Sequence, residues 1–287
     1  MIDVLEQPEA PQREPREDLT ALEVHLLLEA IYRRYGYDFR GYAFTSLKRR
    51  VLNVVRALGL KTVSGLQEQI LHDPGTMDQL LLAISVNVTS MFRDPEFFCT
   101  LRERVTPMLR TYPFVRIWHA GCSTGEEVYS MAILLEEEGL YDRCRIYATD
   151  MNEGVLKQAR DGIFPLNAAE HYRQNYVQAG GTGSFDDYYT GAYGSGIFRA
   201  SLKRNIIFSQ HNLATDGSFN EFHIIMCRNV MIYFKKSLQN RVHDLLYDSL
   251  NLRGILGIGS KESVQFTPHE KDYETLQPGV KVFRRVR

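Results

Sequence analysis

The sequence predicts an α/β fold: a small all-helical N-terminal domain, then a Rossmann-like sheet covered by helices on both faces. Three observations carry this expectation. From Val115 onward, short strand-like runs alternate with helical stretches, as in parallel sheets built from crossover units. From Thr20 to Ile84 the apolar residues recur at helical spacing. The first strand-like run ends in a glycine loop that opens into a helix, the place where open α/β sheets bind ligands.

Along the chain, residues 1–17 hold Pro8, Pro11 and Pro15 among Glu6, Glu9, Glu14 and Glu17. Nothing there can pack a core, so the segment reads as a flexible tail. Thr20 and Glu23 have capping-box spacing and predict a first helix with the stripe Leu22, Leu26, Leu27, Ala30 and Ile31. A second helix starts near Ser46, carries Leu47, Val51, Val54, Val55 and Leu58, and stops at Gly59. A third covers about Val63 to Leu71 and a fourth about Thr76 to Ile84. Together they predict a helical domain over 18–86, followed by a second domain over 87–287.

In that second domain, strands are predicted at Val115 to Gly121, Arg145 to Asp150, Ile206 to Asn212, Phe222 to Asn229 and Ile255 to Ser260. Helices are predicted at Glu126 to Glu137, Glu153 to Asp161 and Ser237 to Leu252. Tyr273 to Val286, with Pro278-Gly279 in the middle, reads as a closing hairpin. Residues 166–204, rich in Gly and Tyr, break the alternation and read as a helix followed by an inserted small subdomain or a long loop.

Composition excludes several classes. A formal net charge of -1 over 287 residues argues against a general nucleic-acid binder. The four cysteines form no CxxC pair and the eight histidines show no HExxH spacing, so neither a disulfide framework nor a metal site is expected. No apolar run is long enough to span a membrane, and the N-terminus lacks a basic-then-apolar signal. The expected location is the cytoplasm.

The run Ile117-Trp118-His119-Ala120-Gly121-Cys122-Ser123-Thr124-Gly125-Glu126-Glu127 joins the first strand to its helix, and the next strand ends in Asp150. A carboxylate there can accept both hydroxyls of a ribose. Nucleotide-linked oxidoreductases and class I methyltransferases share that arrangement. Two details favour the methyltransferase. The loop lacks the GxGxxG that admits a pyrophosphate, and Glu126 and Glu127 at the helix start would repel one. S-adenosylmethionine has no phosphate and carries positive charge.

Four segments make the chain resemble the chemotaxis receptor methyltransferase family, the CheR-like protein-glutamate O-methyltransferases. They are Asn87-Val88-Thr89-Ser90-Met91-Phe92-Arg93-Asp94, the Gly121-to-Glu127 loop with Tyr129-Ser130, Ala148-Thr149-Asp150, and Cys227-Arg228-Asn229-Val230-Met231-Ile232-Tyr233-Phe234. The resemblance implies S-adenosylmethionine as donor, S-adenosylhomocysteine as product and chemoreceptor glutamates as acceptors, converted to 5-O-methyl esters. It implies donor contacts from Asn87, Thr89, Arg93, Gly121, Glu126, Asp150, Asn212, Leu213, Asn229 and Val230. Arg93 and Tyr233 are the implied catalytic pair, guiding the acceptor carboxylate. Met91 and Asp94 stand where many relatives have an aromatic residue and Glu.

The implied partner is the acidic cytoplasmic helical bundle of a methyl-accepting receptor. Lys48, Arg49, Arg50 and Arg56 make the second helix a candidate docking surface for it. In some relatives a small β-subdomain grips a peptide at the receptor's C-terminus. The glycines between Gly180 and Gly196 predict a poor strand edge here, and hence recognition without that tether. The competing readings are a nucleotide-dependent oxidoreductase and a signalling adaptor that keeps the cofactor fold without strong activity.

Overall fold

The computed structural model describes residues 18–85 and 89–287. The expected tail and the candidate Asn87 lie outside the described residues. Helices α1 (Leu19–Tyr35), α2 (Phe44–Ala57), α3 (Val63–His72) and α4 (Pro74–Ile84) enclose one apolar core. The start of α4 shows why the chain folds this way locally. Pro74 takes the first turn, where no N–H is needed, and the Asp73 carboxylate accepts from Gly75 N and Thr76 N. The capping box expected in α1 does not form. Asp18 caps the helix, and Glu23 accepts instead from the backbone and hydroxyl of Ser64 on α3. The stripe is corrected too. Val24, Leu27, Leu28 and Ile31 are buried at i, i+3, i+4, i+7 spacing, whereas Leu22 and Leu26 face solvent.

After Pro95 the chain forms α5 (Pro95–Thr100), a π-helical turn (Leu101–Val105) and α6 (Thr106–Leu109). The sequence reading assigned no element to this stretch. Phe97, Phe98, Leu101, Val105 and Leu109 nevertheless pack into the core on one face of the sheet.

That sheet has seven strands. They are β1 (Val115–Ala120), β2 (Cys144–Asp150), β6 (Ile206–Gln210), β7 (Phe222–Cys227), β8 (Leu250–Ile258), β9 (Tyr273–Thr275) and β10 (Val282–Arg285); β3 to β5 lie elsewhere. Their order is β6-β2-β1-β7-β8-β10-β9. The first five run parallel, and the last two add the expected antiparallel hairpin. Helices α7 (Glu126–Glu137), α8 (Glu153–Asp161) and α11 (Lys236–Ser249) make the crossovers. Alternation along β1 builds both sides, with Val115 and Ile117 in the core under α7 and Trp118 and Ala120 in the core under α11. Strand β8 begins at Leu250 rather than Ile255, through an irregular stretch with Arg253 at φ +65. The sheet grows outward both ways from β1, so its switch point lies between β1 and β7.

The insert is ordered. Strands β3 (Ile163–Pro165), β4 (Tyr189–Ala192) and β5 (Ser195–Phe198) form a second, antiparallel sheet with helices α9 (Ala169–Gln178) and α10 (Ala200–Lys203) beside it. This overturns the poor strand edge expected from its glycines. Tyr193 and Gly194, both at positive φ, make the two-residue turn between β4 and β5. Gly196 leaves room for the Phe164 ring, which a Cβ would meet at 2.6 Å. These glycines admit a turn and aromatic faces; they do not dissolve the strands. Among the described residues no helix is long and apolar enough to cross a membrane.

Candidate methyl-donor and acceptor site

A cavity enclosing about 970 Å³ of empty space, its open mouth included, lies at the carboxyl ends of β1, β2, β6 and β7, where open α/β sheets bind small molecules. The loop after β1 hugs β2, since Gly121 N and Cys122 N both donate to Thr149 O, at 2.8 and 2.9 Å. Gly121 sits at φ +80, and a Cβ there would come within 2.6 Å of Val230 Cγ2. A side chain would therefore strain the backbone and clash with the opposite wall.

Asp150 is set by the same loop. Its Oδ2 accepts from Ser123 N and its Oδ1 from Asn152 N, both at 3.0 Å. Burial pushes this carboxyl up, against the pull of those backbone N–H groups. Beyond β6, Asn212 Oδ1 accepts from Ala214 N at 3.0 Å, so the amide NH2 is the part that can serve a ligand. Leu213 is buried against the sheet core and lines the cavity beside Asn212. Carboxylate, close-approach glycine, amide and apolar wall suit a ribose, an adenine and a positively charged tail, so the residues fit S-adenosylmethionine.

Glu126 and Glu127 are placed differently. The cavity wall includes Glu127, not Glu126. Adjacent helix positions point about 100° apart, and the Glu126 carboxylate accepts from Thr124 Oγ1 at 2.6 Å. Glu127 turns inward to Arg228, whose guanidinium donates to Glu127 Oε2 (2.7 Å), Asp94 Oδ2 (2.6 Å) and Arg93 O (3.2 Å). Burial raises the Glu127 carboxyl, but the Arg228 charge and His119 together hold it down at about 2.

Arg93 lines the cavity through a heavily constrained segment. Phe92 and Asp94 both have positive φ, an uncommon state for such residues. Phe92 N donates to Ser130 Oγ at 2.8 Å, Met91 O accepts from Asn175 at 2.9 Å, and Arg228 holds Arg93 O. Three elements thus fix the backbone from which the Arg93 side chain springs. Thr89, Asn229, Val230 and Tyr233 border the same cavity.

The helical domain completes the wall. Ala43 N donates to Tyr233 O and Lys235 N to Gly41 O, each at 2.8 Å, across a one-residue bridge pairing Tyr42 with Phe234. Tyr42 and Ile84 face the cavity as well. The expected basic docking face divides. Arg50 donates to Ile84 O at 3.0 Å and lies over the Tyr233 ring, 5.2 Å from its centroid; it joins α2 to α4 and to the site. Lys48 pairs with Asp18, while Arg49 and Arg56 are exposed.

Sequence reading missed Tyr42, Met151, Arg228 and Glu262. Arg228 and Tyr233 lay in one quoted motif, yet only Tyr233 received a role. A lone arginine closing an apolar strand was the available signal, because a buried guanidinium demands carboxylates nearby.

A sheet with this switch point, a glycine loop against β2 and a strand-end carboxylate define a class I S-adenosylmethionine-dependent methyltransferase. Family models agree. Residues 87–280 match the CheR methyltransferase SAM binding domain, and residues 22–85 match the CheR methyltransferase all-alpha domain. The chain belongs to the CheR methyltransferase family. It is 50% identical over 266 residues to a protein of Pseudomonas putida named "Putative methyltransferase Cher3", covering 93% of this chain and 97% of that one. It is 30% identical to chemotaxis protein methyltransferase 2 of Pseudomonas aeruginosa, covering 84% and 86%. The chemotaxis protein methyltransferase of Salmonella typhimurium is 29% identical, with 83% and 82% covered. The oxidoreductase and inactive-adaptor readings are not favoured.

Proposed function

We propose that the chain transfers a methyl group from S-adenosylmethionine to glutamate side chains of chemoreceptors, forming glutamate 5-O-methyl esters. The observation that carries this is the meeting of two sets of residues in one cavity. Gly121, Asp150, Asn212 and Leu213 suit the donor, while Arg93 and Tyr233 suit an acceptor carboxylate. Thr89, Asn229, Val230 and, outside the described residues, Asn87 join the donor set.

The donor, when bound, supplies an activated methyl on a sulfonium. The protein's own task is placement. A glutamate carboxylate is already ionised at neutral pH, so no general base is needed. Arg93 offers a planar fork that fixes a carboxylate in two contacts, and the Tyr233 hydroxyl offers one more donor. Tyr42, Ile84 and Phe234 line the cavity and limit water there. Orientation of this kind contributes several kcal/mol to a bimolecular reaction. Arg93 orients without gripping hard, because strong pairing would draw charge from the attacking oxygen.

Arg49 and Arg56, seven residues apart on α2, present exposed positive charge on the helical domain. An acidic helical bundle of the receptor fits that surface. Incubation with tritiated S-adenosylmethionine and candidate receptor cytoplasmic domains tests the proposal. Base-labile label on receptor glutamates is expected. Label that resists base, or appears on another acceptor class, would replace the glutamate assignment.

A further inference from the structure

Glu262 is buried behind the cavity, with 6% of its surface exposed. It closes a tight turn after β8, in which Glu262 N donates to Gly259 O at 2.9 Å. Its carboxylate then reaches back across the ends of two strands. Oε1 accepts from Val230 N (2.9 Å) and Met231 N (2.7 Å). Oε2 accepts from Asn229 N (3.0 Å) and Gly259 N (2.6 Å). A carboxylate has about four lone-pair sites, and here each is spent on a backbone N–H.

Three of those donors are consecutive, Asn229 to Met231, with Asn229 at φ +61. Successive N–H groups curled in this way form a concave anion site, and the chain fills it with its own carboxylate. The residues so held border the cavity. Asn229 and Val230 line it directly, and the turn at Met231–Tyr233 that follows carries Tyr233. Gly259 has no room for a side chain, since a Cβ would lie 2.8 Å from both Asn229 N and Asn229 Nδ2. The close approach of the two strand ends is therefore built for this clamp.

We propose that Glu262 is a positioning residue for methyl transfer, clamping the Asn229–Met231 backbone so that Val230 and Tyr233 hold their places around the reacting groups. It touches neither donor nor acceptor, because all its acceptor sites are occupied by backbone. The inference rests on the cavity being the donor site, as proposed above. A glutamine has the right shape but one carbonyl oxygen, and its NH2 would face N–H donors. An aspartate is one methylene too short to serve both strand ends.

The test uses full-length Glu262→Gln and Glu262→Asp with three readouts. Amide hydrogen exchange at Asn229, Val230, Met231 and Gly259 should accelerate more than about tenfold, with α3 and β1 amides unchanged. Receptor-methylation kcat should fall about 100-fold, the scale of an approximately 1 Å misplacement. The KM for S-adenosylmethionine should rise less than about tenfold, and the aspartate should not rescue kcat. A folded glutamine variant with kcat within about threefold of wild type would overturn the proposal; so would faster exchange throughout the protein.

If Glu262→Gln does not fold, Gly259→Ala displaces Asn229 while leaving the carboxylate intact, and the same loss of kcat is expected. Wild-type turnover in that variant, or failure of both variants to fold, would assign Glu262 a purely structural role. If instead wild-type protein fails to bind S-adenosylhomocysteine, the donor-site reading fails and the positioning role falls with it, while the exchange rates still report whether the carboxylate holds the Asn229–Met231 backbone.

Discussion

The two halves of the cavity are built differently. The half proposed for the donor comes mainly from neighbouring strand ends, joined by Thr89, and its carboxylate, Asp150, is fixed by the backbone N–H groups of Ser123 and Asn152. Any chain that forms β1 and β2 in register forms it. The acceptor half is assembled from distant segments. Arg93 depends on Arg228, Ser130 and Asn175 for its backbone course, and Tyr233 is stapled to the helical domain at Ala43. On the proposed assignment, donor binding would follow mainly from the sheet, whereas acceptor alignment would depend on the whole chain.

Arg228 is where the halves meet, so its loss should give the largest effect. Arg228→Ala leaves the partly buried Glu127 without its cation, and removing one partner of a fully buried pair costs about 3–5 kcal/mol, an upper bound here. Urea denaturation should show that loss at neutral pH. The Glu127 carboxyl is held below its unfolded value, so its stabilisation is present above the unfolded pKa and disappears as pH falls through about 2. The variant's deficit should therefore persist across the neutral and mildly acidic range. A loss under about 1 kcal/mol would mean that the halves do not share this buttress.

Next in size, Arg93→Ala should separate the halves. Methyl transfer should drop about 100-fold, or about 2.7 kcal/mol, with stability and S-adenosylhomocysteine affinity largely kept. Arg93→Lys should recover little, since one ammonium cannot reproduce the fork. Near-wild-type turnover in either variant would remove Arg93 from the acceptor half.

Asp150→Ala should do the reverse, weakening S-adenosylhomocysteine by about 1.5 kcal/mol or more in calorimetry. Burial raises the Asp150 carboxyl, so protons bind the empty site more readily than an exposed carboxylate. Wild-type affinity should decline as the solution is made acidic, beginning at a higher pH than an exposed carboxylate would give, and the alanine variant should lack that decline. Equal pH profiles would show that Asp150 does not hold the donor.

The same contrast explains what could be read in the sequence. Strand ends announce themselves locally, through alternation followed by glycine or a carboxylate, so Gly121, Asp150 and Asn212 were legible. Arg228 and Glu262 act on backbone far away in the chain, and no local spacing encodes such pairings. The four segments quoted for the resemblance brought Arg93 and Tyr233 into view, but not Tyr42, which reaches the cavity only because the helical domain docks on Phe234. The inserted subdomain was legible, but its strands were expected to be poorly formed, because the local rule that glycine weakens strands gave way to aromatic packing on Gly196. In α1, Leu22 and Leu26 fit a helical stripe, yet Val24 and Leu28 won the buried face.

The smallest expected effect concerns docking outside the cavity. Arg49 and Arg56 are exposed, so each contact with an acidic receptor helix is worth about 0.2–1 kcal/mol. Reversing both, as Arg49→Glu with Arg56→Glu, should slow methylation of a receptor fragment several-fold by raising its KM, not by lowering kcat. Added salt should weaken the wild-type reaction and narrow the gap between the proteins, because exposed charges are screened within about 10 Å at 0.1 M salt. S-adenosylhomocysteine affinity should not change, since neither residue lines the cavity. Arg50 is the internal control: it is tied to Ile84 O and the Tyr233 ring, so Arg50→Ala should lower kcat instead. Repeating the comparison on a receptor without its last residues measures what the insert contributes. If recognition rests on α2, both receptors respond alike to charge reversal. If truncation alone produces the larger drop, the ordered β3-β5-β4 sheet is the main point of attachment and the basic helix is secondary.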